Sequence, residues 1–280
     1  MKKILFVLSL FIAFNVLSDE PTSVEVKQES EVKNNSVADK KENITYFGII
    51  NFDNSSRTID ILKKLYDYHR DDKVKAIIFC VNSNGGSVGS FNHINNLILN
   101  IKKTKPVVAV VEDYALSGGY LAICSANYII TPEAGLLGSI GVYICYEKHF
   151  DPEYTGVGNH TGYKAKVKYE FFKTGKYKGI YLEHVPLTDD DRHYLQKLND
   201  ETYLEFCKLV ANSRNLSLDK KEEWADAKMF SGTEAVKIGL ADKIGSVFDA
   251  ITKATELFPH YFPDQELGKI ELIFPVEPAK

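Results

Sequence analysis

From residue 46 onward the apolar positions follow two alternating rhythms. Tyr46-Phe47-Gly48-Ile49-Ile50-Asn51 and the unbroken apolar runs at 76–81 and 106–111 have the length and character of strands buried on both faces. Between them, Ile61, Leu62 and Leu65 predict a helix over 59–68. Val88, Phe91, Ile94, Leu97, Ile98 and Ile101 recur with a period near 3.6 residues and predict a second helix. Gly-rich turns at 82–87 and 117–119 separate strand from helix. Strand, turn and helix repeated with short connections predict an α/β domain with a largely parallel sheet.

The final third reads as more helical. Thr188-x-x-Asp191 is a helix start, with Leu195, Leu198, Phe206, Leu209 and Val210 on one face. Ser231-x-x-Glu234 is a capping box for a short helix ending at Gly239, and 247–257 reads as the last helix. Residues 259–280 are Pro-rich and read as a peripheral tail. At the other end, residues 19–45 are polar, with too little apolar surface to offset their ordering entropy, and read as a disordered linker. The globular domain is therefore assigned to 46–258.

Residues 1–18 resemble an export signal. Lys2 and Lys3 precede an apolar stretch from 4 to 14, and Val16-Leu17-Ser18 resembles a small-residue cleavage site. About 14 apolar residues span only ~21 Å as helix, against a hydrocarbon core of ~30 Å. Cleavage is favoured, with an uncleaved N-terminal anchor as the alternative. Either places the domain outside the cytoplasm, in the periplasm or an equivalent compartment.

Composition adds mainly exclusions. With 44% hydrophobic and 26% charged residues, the chain is neither collagen-like, wholly disordered nor multi-spanning. A net charge of -4 gives no reason to expect nucleic acid, and the lysines at 164–168 read as a solvated face. The four cysteines, Cys80, Cys124, Cys145 and Cys207, form no C-x-x-C pair and read as buried small hydrophobes, with a disulfide as the alternative if the domain is exported. No Cys/His spacing supports a metal site.

Three segments carry candidate chemistry. Ser117, in Tyr114-Ala115-Leu116-Ser117-Gly118-Gly119-Tyr120, follows a buried strand and precedes a helix. That turn projects the hydroxyl at the carboxyl edge of the sheet, and the two glycines let a substrate carbonyl approach the backbone. The plainer reading is a serine N-cap. Asn82-Ser83-Asn84-Gly85-Gly86-Ser87 has backbone N–H groups that could form an oxyanion hole with that of Gly118. Its alternatives are a tight turn or a phosphate loop, although neither Gly-Lys-Ser/Thr nor G-x-G-x-x-G is present. In Phe171-Phe172-Lys173-Thr174-Gly175-Lys176-Tyr177-Lys178, Lys173 has the most apolar sequence neighbours. A lysine serves as a base only when uncharged, which requires burial.

Together and in this order, these segments resemble the signal peptide peptidase A (protease IV) family, which has a ClpP/crotonase-like fold. The family's N-S-P-G-G, A-S-G-G-Y, G-S-I-G-V and K-S/T-G-x-x-K segments correspond to Asn82–Gly86, Leu116–Tyr120, Gly138-Ser139-Ile140-Gly141-Val142 and Lys173–Lys178. Phe230–Ala235 and Gly239–Gly245 resemble its closing segment, so the similarity spans roughly 46–250. Asn84 stands where the family has proline, and Leu116 where it has a small residue.

The resemblance implies a Ser/Lys dyad, with Ser117 as nucleophile and Lys173 as general base. It further implies oxyanion donors from Gly118 and one of Gly85 or Gly86, and Ser139 lining the site. It implies no metal or organic cofactor, peptide substrates such as remnant signal peptides, a homo-oligomer enclosing its sites, and membrane association if the anchor persists. Competing readings are a crotonase-type acyl-CoA enzyme and a catalytically silent peptide- or membrane-protein-binding scaffold on the same fold. A Ser-His-Asp triad is a poor competitor. None of His69, His93, His149, His160, His184, His193 and His260 sits in a motif that places it, and G-x-S-x-G is absent around Ser117.

Overall fold

The structure, a computed structural model, describes residues 25–26, 43–145, 172–182 and 186–275. The readings made of residues 1–18, of most of the linker and of the insert at 151–161 lie outside these residues. The described strands are β1 Glu25–Val26, β2 Ile44–Asp53, β3 Val74–Ser83, β4 Val107–Leu116, β5 Tyr128–Thr131, β6 Leu136–Gly138, β7 Met229–Ser231, β8 Lys243–Ile244 and β9 Lys269–Ile273. They form one sheet in the order β1-β9-β2-β3-β4-β5-β8, with β6 paired to the end of β4 and β7 to β6. All pairings are parallel except β6 with β7. The expected α/β fold with a largely parallel sheet is present.

Period-two alternation explains the continuous apolar runs in the central strands, whose two faces both meet a core. In β3, Ile77, Phe79 and Val81 face one core while Ala76, Ile78 and Cys80 face another. The first core is closed by α1 (Thr58–Arg70), α2 (Val88–Ile101), α3 (Gly118–Ile123) and the far half of α4 (Asp189–Arg214). The second is closed by α7 (Val247–Tyr261) through Ala250, Ile251 and Ala254. Both faces of the sheet are thus covered. Two short helices, α5 (Lys221–Trp224) and α6 (Gly232–Lys237), lie between α4 and β8.

Local signals set the helix ends. Thr188 and Asp191 form a full capping box at α4 (Thr188 N–H to Asp191 Oδ2, 2.9 Å), and α4 ends at Asn215 in the left-handed conformation. Ser231 Oγ accepts the Glu234 N–H at 3.3 Å to open α6. α7 continues past 257 and through Pro259 to Tyr261. That proline forfeits only one backbone bond in the final turn.

Two boundaries differ from the sequence reading. Part of the segment assigned to the C-terminal tail forms β9, because Ile270 and Leu272 alternate into the α7-side core beside Phe47 and Ile49. Tyr68, whose ring fills the space a side chain at Gly48 would need, donates its hydroxyl to the Ile273 carbonyl at 2.9 Å. Within the segment assigned to the linker, Glu25–Val26 pairs with β9, and β2 already begins at Ile44.

Candidate active site

The site candidates gather where β3, β4 and β6 end. Ser117 follows β4 directly, and its N–H donates to the Gly138 carbonyl at 2.8 Å, tying it to the last residue of β6. Ser117 has φ 49° and ψ -120°, the first-position geometry of a type II′ turn. An ordinary N-cap serine is extended and accepts an N–H from the next turn. Ser117 does neither, since its side chain makes no capping bond to α3. The plain N-cap reading therefore fails on geometry, and the half-buried hydroxyl is not spent on the helix it precedes.

Backbone strain concentrates at this edge. Four described non-glycine residues have positive φ, and one of them, Asn215, is the helix cap of α4. The other three are Ser117, Ser139 and Ala227. Ser139 N–H donates to the Lys228 carbonyl at 2.7 Å, and Ala227 N–H to the Ile140 carbonyl at 3.2 Å. The three strained residues are therefore joined through adjacent backbone. Such conformations cost about 1–3 kcal/mol each and persist where surrounding structure enforces them, commonly at active sites.

The two glycine turns interlock. A Cβ on Gly85 would lie 2.8 Å from Gly118 N, Leu116 O and Ser117 Cβ, and one on Gly119 would lie 2.7 Å from Ser83 O. Gly85 has φ 102°, a conformation only glycine adopts cheaply. Its N–H donates to Ser83 Oγ at 3.2 Å. Both Gly86 and Gly118 rest on the ring of Phe91 in α2. The structure thus brings Ser117, Gly85, Gly86, Gly118 and Ser139 to one place.

Residues that the sequence reading missed hold the first turn. Asn84 N–H donates to Asn54 Oδ1 at 2.9 Å, and Asn82 Nδ2 to Asp113 Oδ2 at 3.0 Å. Asp53 in turn gathers Ser55 and Ser56, which hold its carboxyl below the usual range. Glu112 is shifted upward, first by burial and then by Asp113 and Asp53. The turn-forming Asp53-Asn54-Ser55-Ser56 cluster was a visible signal for this loop.

Lys173 is exposed, and its ammonium donates to the Lys176 carbonyl at 3.4 Å. It borders an open, largely apolar depression of about 720 Å³ between its own loop and α4, lined by Phe172, Tyr177, Tyr181, Tyr194 and Leu198. Phe172 and Tyr181 are exposed there. The burial that the sequence reading expected of this lysine is absent in the chain itself.

Of the cysteines, Cys80, Cys124 and Cys207 are buried as expected, and burial raises the thiols of Cys80 and Cys124 to about 12. Cys145 differs in being exposed. Among the described residues no cluster of His, Cys, Asp and Glu could hold a metal ion, and no helix is long and apolar enough to cross a membrane.

A strained serine thus stands on one of two interlocked glycine turns at the carboxyl edge of a parallel sheet, where ligands of open α/β sheets bind. Residues 100–259 match the description Peptidase family S49, and the chain belongs to that family. It is 36% identical over 193 residues to a putative protease of Methanocaldococcus jannaschii, covering 69% of this chain and 59% of the relative. It is 31% identical over 198 residues to Protease 4 of Haemophilus influenzae, covering 70% of this chain and 30% of the relative. The chain therefore spans well under two thirds of either protein. Among solved structures it is similar to a variant of a membrane-bound stomatin-specific protease, with a TM-score of 0.50 and 16% identity over 85% of this chain and 99% of that one. The resemblance to the protease IV family and the fold that accompanies it are both present.

Proposed function

We propose that this chain is a serine endopeptidase in which Ser117 and Lys173 form a catalytic dyad that cleaves exposed apolar peptides, remnant signal peptides among them. The observation that carries the reading is the conformation of Ser117, a strained serine whose hydroxyl does not cap its helix and which is packed against the glycine turns. Membership of a peptidase family supports it.

In this mechanism Lys173 takes the Ser117 proton, the serine oxygen attacks the scissile carbonyl, and the C–N bond breaks as the proton passes to the departing amine. Lys173 then activates water to release the acyl group. Because the Gly85 N–H is already directed at Ser83, the oxyanion donors assigned are Gly118 and Gly86. Ser139 lines the cleft. No cofactor enters the scheme.

Lys173 is exposed in one protomer, so the proposal includes a homo-oligomer in which a neighbouring surface covers the Phe172–Tyr181 depression and excludes water from the amine. The reading also places the protein outside the cytoplasm, with residues 1–18 as an export signal or anchor. The test is turnover of a fluorogenic apolar peptide by the assembled protein and by its Ser117→Ala and Lys173→Met variants, with folding checked by circular dichroism. Both variants are expected to fall at least about 10²-fold. Undiminished turnover by Ser117→Ala removes the nucleophile, and undiminished turnover by Lys173→Met removes the dyad.

A further inference from the structure

We infer that Phe91 is a positioning residue for the oxyanion donors, an aromatic platform whose one edge supports a glycine of each of the two interlocked turns. The inference rests on the reading of Ser117 as nucleophile and names a part of that site outside every family motif.

The geometry is specific. A Cβ built on Gly118 would lie 2.6 Å from Phe91 Cδ2 and 2.9 Å from its Cγ, and one built on Gly86 would lie 3.0 Å from its Cε2. One ring edge thus fills the space that a side chain on a glycine of each turn would need, and these are the two glycines whose N–H groups face the developing charge in the proposal. Neither glycine can carry a side chain without displacing the ring.

The ring is itself braced from behind. Phe91 is 7% exposed, and its ring packs at 5.6 Å from that of Phe52, which stacks on Phe79 at 5.9 Å. Phe52 comes from β2 and Phe79 from β3, so an aromatic column runs from the sheet to the two turns. Phe91 also sits in the first turn of α2, its N–H donating to the Ser87 carbonyl at 3.2 Å, so the residue is tied to the end of the loop it supports.

An oxyanion hole works because its donors are held where charge develops and need not reorganise during reaction. A shorter side chain at position 91 takes that support away and leaves both turns free to tilt toward the vacated space. A displacement of about 1 Å at a reacting centre can cost ~10²-fold in rate. Such a loss falls on the transition state, so kcat declines while KM holds.

The experiment compares Phe91→Leu with Phe79→Leu, a substitution in the same aromatic column remote from the turns. Fluorogenic peptide kinetics and thermal midpoints are measured on both assembled variants, with the wild type and Ser117→Ala alongside. Both Leu variants are expected to melt lower. Only Phe91→Leu is expected to lose kcat, by about ten- to a hundredfold at unchanged KM. Equal kcat losses in the two variants, or a Phe91→Leu enzyme with wild-type kcat, would overturn the inference while leaving Ser117 in place. A Ser117→Ala protein that still turns over overturns the nucleophile reading, and this inference with it.

Discussion

Gly85→Ala puts the interlocked turns to their most exacting test. The new methyl would lie 2.8 Å from Gly118 N, Leu116 O and Ser117 Cβ, whereas ordinary contact begins at 3.4 Å. Two of these atoms are backbone and the third belongs to the nucleophile, so no side chain can swing aside. The turns must part by about 0.6 Å, and in a close-packed interior that motion is transmitted to neighbours. Alanine at φ 102° adds roughly 1–2 kcal/mol of backbone strain.

Gly239→Ala provides the control. Its φ is also positive, 84°, but its Cβ would meet only the end of the Leu216 side chain, at 3.2 Å. Urea midpoints should fall for both variants. Peptide turnover should fall only for Gly85→Ala, by about 10²-fold if one oxyanion donor leaves its place. Wild-type turnover by Gly85→Ala, at a stability loss no greater than that of Gly239→Ala, would refute the claim that these two turns build the site.

Three further outcomes follow from the fold. Arg214, whose side chain is 7% exposed, donates to both carboxylate oxygens of Asp242 and to the Gly239 carbonyl. Arg214→Met should cost about 2–3 kcal/mol in urea unfolding, with part recovered by adding Asp242→Leu, because the single change leaves the half-buried Asp242 carboxylate with the Ile129 N–H but without its paired charge. If the single change costs under about 1 kcal/mol, the pair is not structural in this way. The imidazole of His69 has a buried, unpartnered Nδ1, and its pKa is lowered first by burial and then by Lys105. Folding therefore disfavours its protonated form. The neutral ring's contribution is fully present above the unfolded value of 6.5 and is lost as pH falls through the lower folded value. Urea midpoints should decline below pH 6.5 less steeply in His69→Gln than in wild type, and parallel declines would contradict this. Finally, Lys105 is 6% exposed and donates to the carbonyls of Tyr68, Asp71 and Val74. Lys105→Met leaves three carbonyls short of a donor and should cost about 1–3 kcal/mol or more, read by the same denaturation.

Much of the site was legible because its parts are local. A strand followed by Ser-Gly-Gly specifies a tight turn at a sheet edge, and the order of the motifs located the second turn and Ser139. Contacts between turns carried no such signal. Phe91 appeared only as one more apolar position on a helix, because nothing in a 3.6-residue period reveals that one edge of its ring meets two glycines 32 residues apart. β4 runs on to Leu116 through the exposed Glu112-Asp113-Tyr114 because its end pairs with β6, a tertiary contact that overrides the polar pattern. The Lys269-Ile270-Glu271-Leu272-Ile273 alternation is a strand signal that the surrounding prolines obscured. The apolar sequence neighbours of Lys173 suggested burial, yet adjacency in sequence does not decide exposure in space, and Phe172 beside it is 97% exposed in the protomer.

The most direct measurement of the central claim is intact-mass and peptide mapping of the assembled protein after treatment with a fluorophosphonate. The account predicts a single adduct on the peptide carrying Ser117, absent in Ser117→Ala and strongly slowed in Lys173→Met. An adduct on another serine, or equal labelling when Lys173 is methionine, would contradict it.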